Sequence, residues 1–177
     1  MLRILIVEDV PEVASALQYL IEENALYQVI GIADDAQSAL AVVADHGPDL
    51  VLLDLHLARG TSGFTVAAKL AEWQIMCLFI SGKAPQFSMP DLAIGCLAKP
   101  FTHDDVHRSL AIAEDLLRGH ETVRSKMPPN LKLYGMDDYV EPQEVGYIPS
   151  SLSFRTRIEN RLDLRKTRRW SRPKGQR

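Results

Sequence analysis

Cysteine is scarce in this chain of 177 residues, which carries Cys77 and Cys96 alone. Two thiols set among apolar neighbours make no disulfide framework, and they read as buried free thiols of a reducing compartment. Long apolar runs are missing as well. Nothing approaches the roughly 20 residues of a membrane span. The first apolar stretch, Ile4 to Val7, stops at once in Glu8-Asp9, so no signal peptide is expected. A cytoplasmic location follows as an expectation. Basic residues are thin over most of the chain. Ten of its 20 Lys and Arg fall in residues 151–177, where only Glu159 and Asp163 oppose them. That piece is +8, so the net charge of −3 leaves −11 on the remainder: an acidic body with a basic tail.

What is present is alternation. Hydrophobic residues make up 46% of the chain and charged ones 24%, enough for a buried core. "LRILIV" (2–7) reads as a strand buried on both faces. "PEVASALQYLIEE" (11–23) opens on a Pro suited to a first helical position. It places Val13, Ala16, Leu17, Leu20 and Ile21 on one face. "YQVIGIA" (27–33) is a second strand. Asp34 or Asp35 caps a helix that ends near Gly47-Pro48. "DLVLLD" (49–54) is a third strand, and 63–73 a helix with Phe64, Ala67, Ala68 and Leu70 or Ala71 inward. "IMCLFIS" (75–81) and "AIGCLAK" (93–99) are strands four and five. Thr102 with Asp105 forms a capping box for a helix ending before Gly119. Five strands alternating with helices imply an α/β fold with a doubly wound parallel sheet and right-handed crossovers. In such sheets the working site lies at the carboxyl ends of the strands.

Those ends carry Glu8 and Asp9 after strand one, Asp54 at the end of strand three, Ser81 after strand four, and Lys99 before Pro100 after strand five. Each has an ordinary structural reading. Asp9 could cap the first helix, Asp54 could form an Asx turn, Ser81 could sit in a turn, and Lys99 could be a solvated charge. Helix capping, however, calls for no Lys at the fifth strand end. Phosphoryl transfer to a carboxylate accounts for the whole set. Crowded carboxylates repel unless a divalent cation sits among them, and Mg²⁺ suits an all-oxygen site. Lys99 and Ser81 would neutralise or bond the oxygens of the incoming group, with Asp54 as the nucleophile.

The segments "ILIVEDVPEV" (4–13), "PDLVLLDLHL…GTSGF" (48–64), "LFISGKA" (78–84) and "LAKPF" (97–101), in that order and spacing, resemble a bacterial two-component response regulator receiver domain, CheY-like. The resemblance covers residues 1–118, about two thirds of the chain. It implies a flavodoxin-like sheet of order 2-1-3-4-5, and Asp54 as acceptor of phosphate from a histidine kinase or histidine phosphotransfer protein. It implies Mg²⁺ held by Asp9, Asp54 and the backbone carbonyl of His56, with Glu8 contributing. Ser81 and Lys99 would contact the phosphoryl group, and the Lys99–Pro100 bond would be cis. The domain is then a phosphoacceptor rather than an enzyme acting on other substrates.

Two features depart from the family pattern. Leu97 stands where an aromatic switch residue is usual. Residues 82–94 carry Pro85 and Pro90, so the fourth helix of the family should shrink to a turn or vanish. That leaves an unusual output face.

Residues 119–150, with Pro128-Pro129, Gly135, Pro142, Gly146 and Pro149, read as a linker or irregular wrap. Residues 151–177 read as a basic, poorly structured tail with a short amphipathic helix over 154–170 as its one ordered alternative. No helix-turn-helix or zinc pattern is present, so nucleic acid would be held by charge and not by sequence. Three functions compete. One is a phosphorylation-controlled switch of a protein interaction, with homodimerisation open. The second is a DNA-binding regulator acting through the tail. The third is a Mg²⁺-dependent aspartyl phosphatase. "LLDLHLARGT" resembles the haloacid dehalogenase motif, but His56 stands where the second Asp is needed, and the motif lies on the third strand.

Overall fold

In the computed structural model, residues 1–57, 62–120 and 127–135 are described. The tail at 151–177, most of the 119–150 segment and the Gly60-Thr61 part of the turn after Asp54 lie outside them. The elements run β1 (Leu2–Val7), α1 (Pro11–Glu22), β2 (Tyr27–Ala33), α2 (Ala36–His46), β3 (Leu50–Asp54), α3 (Gly63–Glu72), β4 (Met76–Ser81), β5 (Gly95–Ala98), α4 (His103–Arg118) and β6 (Leu131–Leu133). One sheet holds all six strands in the order β2-β1-β3-β4-β5-β6. The first five pair in parallel, in the expected 2-1-3-4-5 order. β6 joins antiparallel on the outer edge of β5.

Side chains alternate across the strands, and this splits the interior in two. Ile4, Ile6, Leu50, Leu52, Leu78 and Ile80 face one way, toward Ala14, Leu17 and Ile21 of α1 and Val106, Leu110 and Ala113 of α4. Leu5, Val7, Val51, Leu53, Cys77 and Phe79 face the other way, toward Ala39 and Val43 of α2 and Val66, Ala67 and Leu70 of α3. Burial on both faces is why these strands are nearly continuous aliphatic runs. Both cysteines are buried and free. Burial pushes the Cys77 thiol up to about 12 and that of Cys96 to about 11, so neither is a ready nucleophile.

The caps are local. Asp35 accepts from Ser38 N and shares a capping box with it, and Thr102 and Asp105 do the same for α4. Helix faces differ in detail from the periodicity. In α1 the buried small residue is Ala14, with Ala16 exposed. In α3 Ala68 points out and Phe64 is partly exposed with its ring edge-on to buried Phe79, while Gly63, Val66, Ala67 and Leu70 point in. The cause lies at Gly63. A β-carbon there would sit 2.2 Å from the Asp54 carbonyl oxygen and 2.7 Å from Leu55 Cα. The backbone of α3 is pressed against the end of β3, and this contact sets the rotation of the helix.

Residues 82–94 form no helix, as Pro85 and Pro90 led us to expect. The space is filled from two sides. Met89 and Leu92 of the connection pack on the α2/α3 face. Tyr134, just after β6, lays its ring edge-on against Phe79 at 6.2 Å between centroids. The sixth strand comes from the segment read as linker or irregular wrap. Leu131 and Leu133 are buried in the α1/α4 core with Lys132 outward between them. The pairing is close: a β-carbon on Gly95 would lie 2.4 Å from the Lys132 carbonyl oxygen. Among the described residues no helix is long and apolar enough to cross a membrane.

Candidate functional site

The carboxyl ends of β1, β3, β4 and β5 lie side by side, and the register sets what meets there. Val7 pairs with Leu53, Asp54 with Ile80, and Ser81 with Ala98. The next residues in each chain, Glu8 and Lys99, are thereby carried to the same edge as Asp54.

Lys99 holds the centre. Its Nζ donates to Asp54 Oδ2 at 2.5 Å and to Glu8 Oε2 at 2.7 Å. Glu8 is 3% exposed and Asp54 7%. Glu8 Oε1 also accepts from Val10 N at 3.3 Å. Asp54 Oδ1 accepts from His56 N at 2.9 Å, an Asx-type bond that aims the carboxylate across the strand end. The Lys99–Pro100 peptide bond is cis.

Burial pushes the Glu8 carboxyl above its usual range, even though the hydrogen bond and charge of Lys99 pull the other way. Burial also works against the Lys99 ammonium, but its bonds to Asp54 and Glu8 prevail and raise its pKa.

Asp9 completes the cluster. Oxygens of Glu8, Asp9 and Asp54 lie within 4.8 Å of one another. The capping role open to Asp9 is not taken: Val10 is the N-cap of α1, and no side chain bonds there. Three carboxylates against the Lys99 ammonium leave two negative charges in a half-dry pocket. An all-oxygen donor set with that excess fits a divalent cation such as Mg²⁺.

Ser81 is fully buried. Its hydroxyl donates to the Lys83 carbonyl at 3.1 Å and lies 3.3 Å from His56 Nδ1. Sequence reasoning assigned His56 only a backbone role. Here its ring is also a neighbour of Ser81, and Nδ1 is 4.0 Å from Asp54 Oδ1. The signal was available: residues i and i+2 of an extended chain share a side, so Asp54 and His56 project together. Leu97 is 1% exposed, between Ile80 on β4 and Leu131 on β6. β6 thus covers the outer edge of β5 at Leu97.

Asn130 ties this region to the strand after it. Its carbonyl accepts from Ala98 N at 2.9 Å. Its amide donates to the carbonyls of Ala98 and Pro100 at 3.2 and 3.3 Å. The turn bearing Lys99 is thus bonded on its outer side by the β6 segment, a contact no local pattern announced.

Known proteins share this fold. The chain is 29% identical over 124 residues to the transcriptional regulatory protein PdtaR of Mycobacterium tuberculosis (strain CDC 1551 / Oshkosh), covering 66% of this chain and 58% of that protein. It therefore spans less than two thirds of the length of this curated relative. Among solved structures it resembles the signal receiver domain of a modulated diguanylate cyclase from Desulfovibrio desulfuricans G20. That likeness has a TM-score of 0.54 and 31% identity, over 63% of this chain and 91% of the other. CheY in a CheX–CheY–BeF3–Mg²⁺ complex from Borrelia burgdorferi shares the fold, with TM-score 0.59 and 20% identity over 64% of this chain and 89% of that one. The response regulator receiver domain family matches residues 4–111, well over half the chain. With the strand order and the converging strand ends, that match establishes that the chain belongs to the response regulator receiver domain family.

Proposed function

We propose that Asp54 accepts a phosphoryl group from the phosphohistidine of a histidine kinase or phosphotransfer protein. The observation that carries this reading is the Lys99 bridge between two buried carboxylates at the strand edge. An Asp54 carboxylate oxygen forms the new P–O bond as the P–N bond breaks. The imidazole leaves with the electron pair and takes a proton from solvent. Asp54 needs no base, since it attacks as a carboxylate. Lys99 passes from the Asp54 oxygen to a phosphoryl oxygen, and the Ser81 hydroxyl turns from Lys83 to bond another.

The carboxylates of Glu8, Asp9 and Asp54, with the His56 main-chain carbonyl, would hold Mg²⁺. Bound there, Mg²⁺ would neutralise phosphoryl charge. In this reading the protein is a signalling phosphoacceptor of the cytoplasm, built from a receiver over residues 1–118 with the β6 segment docked on it. Its output is a switched protein interaction, and Leu97 and the helix-free 82–94 connection replace the usual output face.

Incubating the full chain with Mg²⁺ and a small phosphodonor such as phosphoramidate tests this by intact mass. A single-phosphate adduct present in the wild type and absent in Asp54→Asn is expected. An adduct that persists in Asp54→Asn, or none in either protein, overturns the reading. Rapid turnover of many phosphate esters would favour the phosphatase.

A further inference from the structure

A second convergence of ligand atoms occurs where the end of α1 meets the start of α4. Glu23 is the C-cap residue of α1, His103 is the first residue of α4, and His107 lies one turn further on. Spacing by four puts both imidazoles on one side of the helix. His103 Nε2 is in direct contact with Glu23 Oε2. His107 Nε2 lies 3.7 Å from that same oxygen. The two rings stack with centroids 4.2 Å apart and 27° between their planes. One ligand atom from each residue falls within 4.8 Å of the other two.

Simple salt bridging explains this set poorly. Glu23 Oε2 is already engaged by His103. His107 Nε2 is shut away from solvent and has no hydrogen-bond partner, an unfavourable state for a polar ring atom. Protonating both imidazoles would bring two like charges into stacking contact. A metal ion removes the conflict, because two neutral imidazoles and a carboxylate can share it as lone-pair donors.

We propose that Glu23, His103 and His107 form a site for a divalent transition-metal ion, Zn²⁺ or a close neighbour such as Co²⁺ or Ni²⁺. Imidazole ligands select these ions over Mg²⁺, which prefers oxygen. Three protein ligands leave a fourth position for water. The site shares no residue with the Asp54 cluster and joins the C-terminal end of α1 to the start of α4. An ion there clasps α1 to the first turn of α4, four residues after Lys99.

Titration calorimetry of the untagged full chain with ZnCl₂, in buffer containing millimolar MgCl₂, tests the site. One Zn²⁺ per chain is expected. His107→Ala and Glu23→Gln should each weaken binding by at least about tenfold, with circular dichroism unchanged. The double variant Cys77→Ser/Cys96→Ser should bind like the wild type. Co²⁺ should give visible absorption bands that His103→Gln alters. Absence of stoichiometric Zn²⁺ binding by the wild type overturns the proposal, as does binding that persists in the Glu23 and His107 variants or vanishes with the cysteines. Phosphorylation of Asp54→Asn and wild type is read separately by mass, so failure here leaves the receiver reading standing, and the reverse.

Discussion

Lys99 Nζ stands 2.5 Å from Asp54 Oδ2, at the ends of two strands that are not neighbours in the sheet. β4 lies between β3 and β5, so the lysine reaches over it to the carboxylate. Lys99→Met keeps much of the apolar stem and removes the charge. It leaves Glu8 and Asp54 buried without their bonded cation. Loss of about 3 kcal/mol of stability is expected without Mg²⁺, at the low end for a broken buried pair because Lys99 retains some solvent contact. Urea denaturation of both proteins in EDTA measures it. Equal midpoints would mean that the bridge contributes little.

Excess negative charge at the same edge predicts that Mg²⁺ stabilises the fold. Millimolar MgCl₂ should raise the melting temperature of the wild type, following the usual ligand linkage. The increment should disappear in Asp9→Asn and Asp54→Asn. In EDTA those variants should melt at or above the wild type, since each relieves repulsion. Thermal melts with and without the salt decide it.

Acidity offers an independent check on burial. Glu8 has a folded pKa above its ordinary 4.5. Between those two values the folded state holds a proton that the unfolded state has released, so stability falls as pH rises through that window. Lys99 has a folded pKa above 10.5, and its stabilising charge is present below that value and lost as pH climbs past the folded pKa. In EDTA, Glu8→Gln should flatten the acid-side slope and Lys99→Met the alkaline one. Stability curves that keep both slopes in the variants would refute these assignments.

Two glycines predict steric failures. Gly63→Ala drives a β-carbon into the main chain of Asp54 and Leu55. A destabilisation of about 1–3 kcal/mol is expected, together with slower phosphorylation, because the backbone that must move carries Asp54. Gly95→Ala meets the Lys132 carbonyl instead and should loosen β6. Amide exchange at residues 131–133 would then rise, while exchange in β1 and β3 stays slow.

Truncation tests what β6 adds to the fold. A chain ending after Gly135 should behave as a stable monomeric receiver. One ending after Gly119 loses the burial of Leu131, Leu133 and Tyr134, worth about 1.5–3 kcal/mol each before offsets. It should be less stable and prone to associate through the bared β5 edge. Light scattering and urea melts of the two shortened chains would show it.

Much of this was legible because its causes are local. Aliphatic runs such as Leu50 to Leu53 announce doubly buried strands. Thr102 and Asp105 mark a helix start, and Pro85 and Pro90 forbid a helix between β4 and β5. The strand-end rule then drew Glu8, Asp54 and Lys99 together across 91 positions of chain. Other features depend on partners that no short window contains. "LKL" is too short to signal a strand until β5 offers it an open edge. The inward face of α3 follows from Gly63 meeting β3, which periodicity alone does not register. The meeting of Glu23 with His103 and His107 needs the mutual placement of two helices 80 residues apart.

The sixth strand also gives the molecule a mechanical polarity. β6 lies along β5, and β5 runs directly into Lys99. Chain beyond Gly135 is therefore anchored to the strand that presents the lysine. A pull entering at Gly135 would meet the Tyr134–Ile94 bond and the Leu133–Gly95 pair first, and the Asn130 bonds beside Lys99 last. Force from that side would therefore peel β6 from the far end of β5 before it reached the turn around Lys99.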